Sequence, residues 1–149
     1  MMDNATTGTR GLQGEREGPA GLQRKGPVPP APEWVAVCKL NDIVPNTGVC
    51  ALVYGRQVAV FRLDDDSVRA IDNHDPFSRT NVLSRGIVGD LKGELVVASP
   101  VYKQHFSLVT GRCIEDETVS VPVYGASIQD NYVMVQKPTP HNAAYNGRN

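Results

Sequence analysis

The sequence lacks the composition that binding to nucleic acid or insertion into a membrane requires. Its 15 basic residues are balanced by 16 acidic ones, and the formal net charge is −1. A protein that holds a phosphate backbone needs an excess of lysine and arginine, and this chain has none. No apolar run approaches the roughly 20 residues of a membrane-spanning helix, and no apolar stretch of signal-peptide length follows the first charges. We therefore expect a soluble cytoplasmic protein that binds neither nucleic acid nor membrane.

Cysteine is scarce, and its spacing excludes two kinds of site. The three cysteines, Cys38, Cys50 and Cys113, form neither a C-x-x-C pair nor a Cys-x-His pair. An odd number without those spacings fits neither a disulfide framework nor a zinc site. We expect all three to be reduced residues of the core.

The motifs of phosphate binding and nucleophilic catalysis are also missing. The sequence contains no G-x-G-x-x-G, no G-x-x-x-x-G-K-[ST] and no G-x-S-x-G. Of its three histidines, His74 lies in a loop, where a capping or surface role is favoured, and His105 is expected to be half-exposed on a strand. His141 falls in a polar tail. We therefore expect no catalytic residues in this chain.

One domain accounts for most of the chain. Residues 1–33 are rich in glycine and proline and cannot bury enough surface to offset the entropy of ordering, so they are predicted to be disordered. The apolar pattern begins abruptly at Trp34 and ends before Lys137. The sequence therefore predicts a domain at 34–136 and a flexible tail at 137–149.

Short apolar runs separated by turn residues predict an all-β domain, a small antiparallel barrel or sandwich. A hairpin is predicted between 48–54 and 57–63 around Gly55-Arg56, a pair suited to a type II′ turn. A last hairpin is predicted to join 123–128 to 132–135. The segment 72–86 reads as a long irregular loop, and long loops inside small domains are often functional.

Two segments of the chain have the residue spacing of a known pair of metal-binding loops. Residues 99–111 read S-P-V-Y-K-Q-H-F-S-L-V-T-G, which resembles the second ligand loop of Rieske ferredoxins, C-P-x-H-g-x-x-F-x-L-x-T-G. Asp75-Pro76-Phe77 falls at the first ligand loop. The four ligand positions would then hold Asp75, Phe77, Ser99 and Tyr102, which cannot supply the two thiolates and two imidazoles of a Rieske cluster.

Further segments, taken in their order along the chain, restrict the resemblance to one family. G-V-C-A-L at 48–52, V-A-V-F-R at 58–62, V-L-S-R-G at 82–86 and E-L-V-V-A-S-P at 94–100 surround these positions. Together with D-P-F at 75–77, K-Q-H-F at 103–106 and V-S-V at 119–121, they resemble the small subunit of assimilatory NAD(P)H-dependent nitrite reductase. The resemblance covers essentially all of 34–136.

The resemblance implies a Rieske-like fold without a cluster and a role as a non-catalytic subunit of an oxidoreductase. It implies that this chain binds no cofactor or metal, and that FAD, a [4Fe-4S] cluster and sirohaem belong to the large subunit, which reduces nitrite to ammonium in nitrate assimilation. The former ligand loops would form a tip that docks on the large subunit, or residues that only fill the vacated space. The tip residues are Asp75, Pro76, Phe77, Ser99, Pro100 and Tyr102. A stand-alone Rieske-like binding module and an electron-transfer component remain the alternatives.

Overall fold

The computed structural model describes residues 33–137, and the regular structure of this part of the chain consists of strands and two short 3₁₀ turns. Two 3₁₀ turns, Leu40–Asp42 and Leu83–Arg85, interrupt the strand order. The described residues include no helix long and apolar enough to cross a membrane. The strands are β1 (Trp34–Lys39), β2 (Thr47–Val53), β3 (Arg56–Arg62), β4 (Val68–Asp72), β5 (His74–Asp75), β6 (Thr80–Asn81), β7 (Ile87–Leu91), β8 (Glu94–Ala98), β9 (His105–Ser107), β10 (Val123–Tyr124), β11 (Ala126–Gln129) and β12 (Tyr132–Gln136).

The central sheet has the order β10-β4-β3-β2, and its third strand is buried on both faces. Ala59 and Phe61 point into one apolar cluster, which includes Val97 of β8 and Phe106 of β9. Val58 and Val60, which alternate with them, belong to a second cluster with residues of β12. Alternate side chains of a strand face opposite sides of a sheet, so the uninterrupted apolar run of β3 reflects cover on both sides.

Two three-stranded sheets provide that cover. The order β1-β12-β11 lies against the second cluster, and the order β7-β8-β9 against the first. A short pair, β5-β6, leaves the end of the central sheet directly after β4. The predicted all-β, Rieske-like class is confirmed, and every strand pair in the described residues is antiparallel.

The first predicted hairpin is present, but its predicted turn was wrong. Val53 pairs with Arg56, so the two loop residues are Tyr54 and Gly55, not Gly55 and Arg56. Both have positive φ, at 48° and 82°, which defines a type I′ turn rather than a type II′ turn. The sequence did not predict left-handed backbone at this tyrosine, because glycine, asparagine and aspartate are the residues expected there.

The last hairpin and the cysteines also differ in part from the predictions. Strands β11 and β12 form the hairpin, but Val123 and Tyr124 leave it and pair with β4. The three cysteines are free, and Cys113 is buried as predicted, whereas Cys38 is only partly buried and Cys50 is exposed on β2. Residue 50 lies on the edge strand of the central sheet, which has a neighbour on one side only. The predicted disordered extension and flexible tail lie outside the described residues, apart from Glu33 and Lys137.

A polar network lies at the edge of the second cluster. The hydroxyl of Tyr124 donates to Asp72 Oδ1 at 3.4 Å, and Arg56 Nη2 lies 3.3 Å from the same oxygen. Burial, followed by the nearby charge of Asp72, raises the pKa of Tyr124 to about 12. A phenol held neutral in the fold ionises more readily when the chain unfolds, so it stabilises the fold below its ordinary pKa.

We predict that this network makes the fold sensitive to alkali. As the pH rises from about 10 to about 12, the contribution of Tyr124 to the free energy of unfolding is lost. Tyr124→Phe removes this part of the pH dependence, which denaturant unfolding at a series of alkaline pH values measures. An ultraviolet absorbance titration in which every tyrosine ionises near its ordinary pKa contradicts the prediction.

Candidate functional site

The two segments at the former ligand positions form matching five-residue turns. The first turn is residues 75–79 and the second is residues 99–103. Arg79 N donates to the carbonyl of Asp75 at 2.7 Å, and Lys103 N donates to the carbonyl of Ser99 at 3.1 Å. The closing residue of each turn has positive φ, 61° at Arg79 and 70° at Lys103. The two turns therefore share one backbone design despite their different sequences.

Each turn begins with a residue whose side chain caps its own backbone. Asp75 Oδ1 accepts from the backbone N–H of Phe77 at 2.9 Å, and Ser99 Oγ accepts from that of Val101 at 3.3 Å. A proline follows each capping residue, at positions 76 and 100, where its fixed φ suits the start of a turn. The dipeptides D-P at 75–76 and S-P at 99–100 therefore indicate turns, and they stand where the Rieske pattern has its ligands.

The two capping residues are also bonded to each other. Ser99 Oγ donates to Asp75 Oδ2 at 2.5 Å, and both residues are fully buried. A short hydrogen bond from a hydroxyl to a carboxylate is among the stronger hydrogen bonds in proteins. The bond joins the turns at the two positions that carry cysteine in the Rieske pattern, so a hydrogen bond cross-links the loops there.

Further contacts fix the base of each turn. Asn73, which is buried, donates to Gln57 Oε1 at 3.1 Å and accepts from the backbone N–H of Ser84 at 2.7 Å. Its amide therefore anchors the first turn to the start of β3 and to the 3₁₀ turn. Sequence reasoning missed Asn73, because an asparagine between strands gives no signal of which distant groups it will reach.

Hydrogen bonds between His105 and Glu115, which sequence reasoning also missed, hold the chain directly after the second turn. Glu115 accepts from the backbone N–H of His105 at 2.8 Å, and His105 Nδ1 lies 2.6 Å from its other oxygen. Burial of Glu115 opposes ionisation, but the hydrogen bonds from His105 outweigh it and lower the pKa of the carboxyl. His105 is half-exposed, as predicted, and His74 is half-buried with Nδ1 3.0 Å from Asn81 Oδ1.

The structure separates the two aromatic residues at the former histidine positions. Phe77 is partly buried, and its ring packs on the first cluster with its centroid 6.1 Å from that of Phe106. Tyr102 lies in the second turn with 61% of its surface exposed. The sequence suggested one role for both, and the geometry gives them different surroundings.

The donor groups present do not fit a Rieske cluster. Such a cluster needs two thiolates on one iron and two imidazoles on the other, but the four positions hold a carboxylate, a hydroxyl, a phenyl ring and a phenol. The carboxylate and the hydroxyl already satisfy each other. Among residues 33–137, no three His, Cys, Asp or Glu side chains are grouped to hold a metal ion.

Comparison with known families agrees with the Rieske frame. The model of the Rieske-like [2Fe-2S] domain matches residues 33–136. The nitrite reductase (NADH) small subunit of Salmonella typhimurium is 50% identical over 105 residues, which are 70% of this chain and 97% of that protein. A crystal structure of an NADH-dependent nitrite reductase small subunit from Mycobacterium tuberculosis has a TM-score of 0.71 and 45% identity, and the match covers 74% of this chain and 99% of that chain.

A third relative is a much larger protein. The NAD(P)H nitrite reductase large subunit of Klebsiella oxytoca is 39% identical to this chain over 109 residues. The match covers 73% of this chain and 11% of that protein. A domain similar to this one is therefore one part of a large-subunit polypeptide.

We predict that the bond between the turns stabilises the whole domain. Ser99→Ala leaves the buried carboxylate of Asp75 without its hydroxyl donor, which costs about 1–3 kcal/mol of the free energy of unfolding. Ser127→Ala, on the exposed face of β11, serves as the control and changes that free energy by less than about 0.5 kcal/mol. Denaturant unfolding measures both, and equal stability of the two variants refutes the prediction.

Proposed function

Because the chain belongs to the family of nitrite reductase small subunits, with a Rieske-like domain over residues 33–136, we propose that it is the non-catalytic subunit of an NAD(P)H-dependent nitrite reductase. The observation that carries the proposal is the 50% identity over 97% of a small subunit. At that identity and coverage, the whole domain has a counterpart, including the two turns.

The reaction is assigned to the large subunit. The side chains of the two turns do not fit a Rieske cluster, and no three metal-ligating side chains are grouped among residues 33–137, so we place the reduction of nitrite to ammonium on the large subunit. We propose that FAD, a [4Fe-4S] cluster and sirohaem are bound by the large subunit, and that the complex works in the cytoplasm. The Klebsiella oxytoca relative, in which a similar domain is part of a large-subunit chain, supports direct contact between the two subunits.

We propose that the two turns form the tip that contacts the large subunit. Asp75 and Ser99 are buried and shape the tip from within, while Pro76 and Phe77 are only partly exposed. Pro100 and Tyr102 are exposed. An ordered turn that presents an exposed tyrosine is a typical contact element, because a tyrosine offers a large rigid surface at low cost in entropy. Of the two roles considered for the tip, filling fits Phe77 and docking fits Tyr102.

Electron transfer by this chain is the second candidate. The side chains at the four ligand positions argue against it, because they do not fit a Rieske cluster. A free-standing binding module is the third. The candidates differ from the proposal in whether this chain itself binds a coloured cofactor and in whether a large subunit is recovered with it.

Co-purification of the tagged full chain from its own cells distinguishes the three. We expect a colourless subunit that is recovered with a large chain showing the absorption of flavin and sirohaem. Recovery of the chain alone favours the free-standing module. Visible absorption bands that belong to this chain itself contradict the proposal and favour electron transfer.

The two aromatic residues provide a sharper test of the tip. We expect Tyr102→Ala to weaken binding to the large subunit by ~2 kcal/mol and to change stability by less than ~0.5 kcal/mol. We expect Phe77→Ala to lower stability by roughly 2–3 kcal/mol, since its ring packs on the core. Calorimetric binding and thermal unfolding measure the two effects.

Tyr132→Ala is the matched control. Tyr132 is 42% exposed, and it follows Asn131, whose carbonyl accepts from Leu40 N near the Arg62 end of β3. The first turn follows Asn73, which bonds to Gln57 at the other end of that strand. A loss of binding in Tyr132→Ala that equals the loss in Tyr102→Ala overturns the assignment of the tip.

A further inference from the structure

We infer that a polar cavity next to the first turn binds a small planar oxyanion. The cavity has a volume of about 420 Å³ and is formed by the β2-β3 hairpin, the end of β4 and the β5-β6 pair. Its lining residues are Gly55, Arg56, Gln57, Asp72, His74 and Asn81. Nitrite, the substrate of the proposed complex, is such an anion, and its choice as a probe rests on the proposed function.

Arg56 brings hydrogen-bond donors to this cavity that the protein itself does not use. Its side chain is 18% exposed, and its Nη2 lies 3.3 Å from Asp72 Oδ1. Tyr124 is its other polar neighbour. A guanidinium has five N–H donors, so these two neighbours leave some of them without an acceptor among residues 33–137. Donors in that position favour a ligand that accepts hydrogen bonds.

The arginine at the other end of β3 has a different environment. Nε and Nη2 of Arg62 both donate to Asp66 Oδ1, and Nη1 donates to the carbonyl oxygen of Ile43 at 2.8 Å. Every nitrogen of that guanidinium therefore has an acceptor. Both arginines are mostly buried on the same strand, so the spare donors of Arg56 are specific to the cavity.

Asn81 adds a second group of spare donors. His74 Nδ1 lies 3.0 Å from Asn81 Oδ1. Because an amide oxygen only accepts, Nδ1 carries the proton and the oxygen of Asn81 is occupied. The amide nitrogen of Asn81 has no acceptor in the part of the chain that the structure describes. His74 Nε2 is buried from solvent, so a ligand in the cavity does not contact it.

The other side-chain acceptors of the lining already have donors from the protein. Asp72 Oδ1 accepts from Arg56 and from the hydroxyl of Tyr124. Gln57 Oε1 accepts from Asn73 Nδ2 at 3.1 Å. The lining thus combines spare donors with occupied acceptors, which favours an anion over a cation or a ligand that donates hydrogen bonds.

Net charge does not select the ligand, because the charges around the cavity are mixed. Arg56 and Asp72 cancel each other within the lining. The carboxylate of Glu33 accepts from the hydroxyl of Tyr54 and is paired with Lys137 at 3.5 Å. The anion is therefore held by directed hydrogen bonds from guanidinium and amide groups. A planar anion matches the planar guanidinium better than chloride does.

The position of the cavity links it to the first turn. An anion held by Arg56 and Asn81 joins the β2-β3 hairpin to β6, the strand that directly follows residues 75–79. Binding to the folded state alone raises stability by mass action. We therefore expect nitrite to raise the thermal stability of the domain.

Two substitutions test the site. Asn81→Asp keeps the shape of the side chain and an oxygen for His74, but it replaces the spare donors with negative charge. Arg56→Lys keeps a positive charge next to Asp72 and removes the planar group of donors. Asn81 is exposed, so its variant remains informative even where Arg56→Lys lowers the stability of the fold.

Asn46→Asp is the matched control. Asn46 is exposed, and its backbone N–H donates to the carbonyl of Arg62 at the far end of β3. It has positive φ, 64°, which aspartate also tolerates. The variant therefore makes the same chemical change away from the cavity.

An NMR titration of the full chain with sodium nitrite or sodium acetate, at an ionic strength held constant with sodium chloride, measures the binding. We expect saturable shifts at the backbone N–H of Gly55 and the side-chain amide of Asn81. We expect roughly tenfold weaker binding in Asn81→Asp and Arg56→Lys, and unchanged binding in Asn46→Asp. The absence of saturable shifts, equal shifts with chloride alone, or an equal loss in Asn46→Asp overturns the inference.

The two anions distinguish two sources of the same chemistry. Tighter binding of nitrite supports the site as one for the substrate, and tighter binding of acetate supports it as one for a carboxylate. The titration uses this chain alone, so failure to bind either anion leaves the proposed function standing. Saturable binding by a chain that does not bind the large subunit contradicts the proposed function and leaves the anion site.

Discussion

The hydrogen bond from Ser99 to Asp75 is the constraint on which the arrangement of the two turns depends. The Rieske frame places two loops side by side, and in its metal-binding form the loops share ligands to a cluster. Here the two positions of the cysteines hold a carboxylate and a hydroxyl that bond to each other in a buried site. Their spare acceptor capacity caps both turns. One pair of side chains therefore joins the loops and shapes them.

Because a hydrogen bond rather than a metal joins the loops, the outer surface of the turns holds no metal ligands. Phe77 fills space against Phe106, so the interior of the tip is closed by packing. Tyr102 and the basic residues at 79, 85 and 103 are left outward, around a backbone that hydrogen bonds already order. A preordered surface loses little entropy on binding. The two turns are thus ordered by hydrogen bonds and packing between side chains of this domain.

The sequence allowed the fold and the positions of the two loops in the chain to be predicted, because strand runs, turn residues and the spacing of the Rieske pattern are local patterns. It did not reveal the bond between Asp75 and Ser99, since nothing in either segment specifies its distant partner. For the same reason, the sequence did not show the roles of Asn73 and Glu115. The type I′ turn was missed because Tyr54 adopts a conformation that its residue type disfavours, and Cys50 is exposed because its strand lies at a sheet edge. Apart from the turn at Tyr54, these errors concern tertiary context rather than local preference.

Hydroxyl-radical footprinting of the subunit, alone and bound to its large subunit, tests the central claim most directly. Tyr102 and Tyr132 are both exposed in the isolated domain, at 61% and 42%, and oxidation reports the exposure of each ring. If the two turns contact the large subunit, that subunit protects Tyr102 and leaves Tyr132 as reactive as before. Protection of Tyr132 with Tyr102 unchanged would show that the partner binds another face and that the turns are not the docking surface.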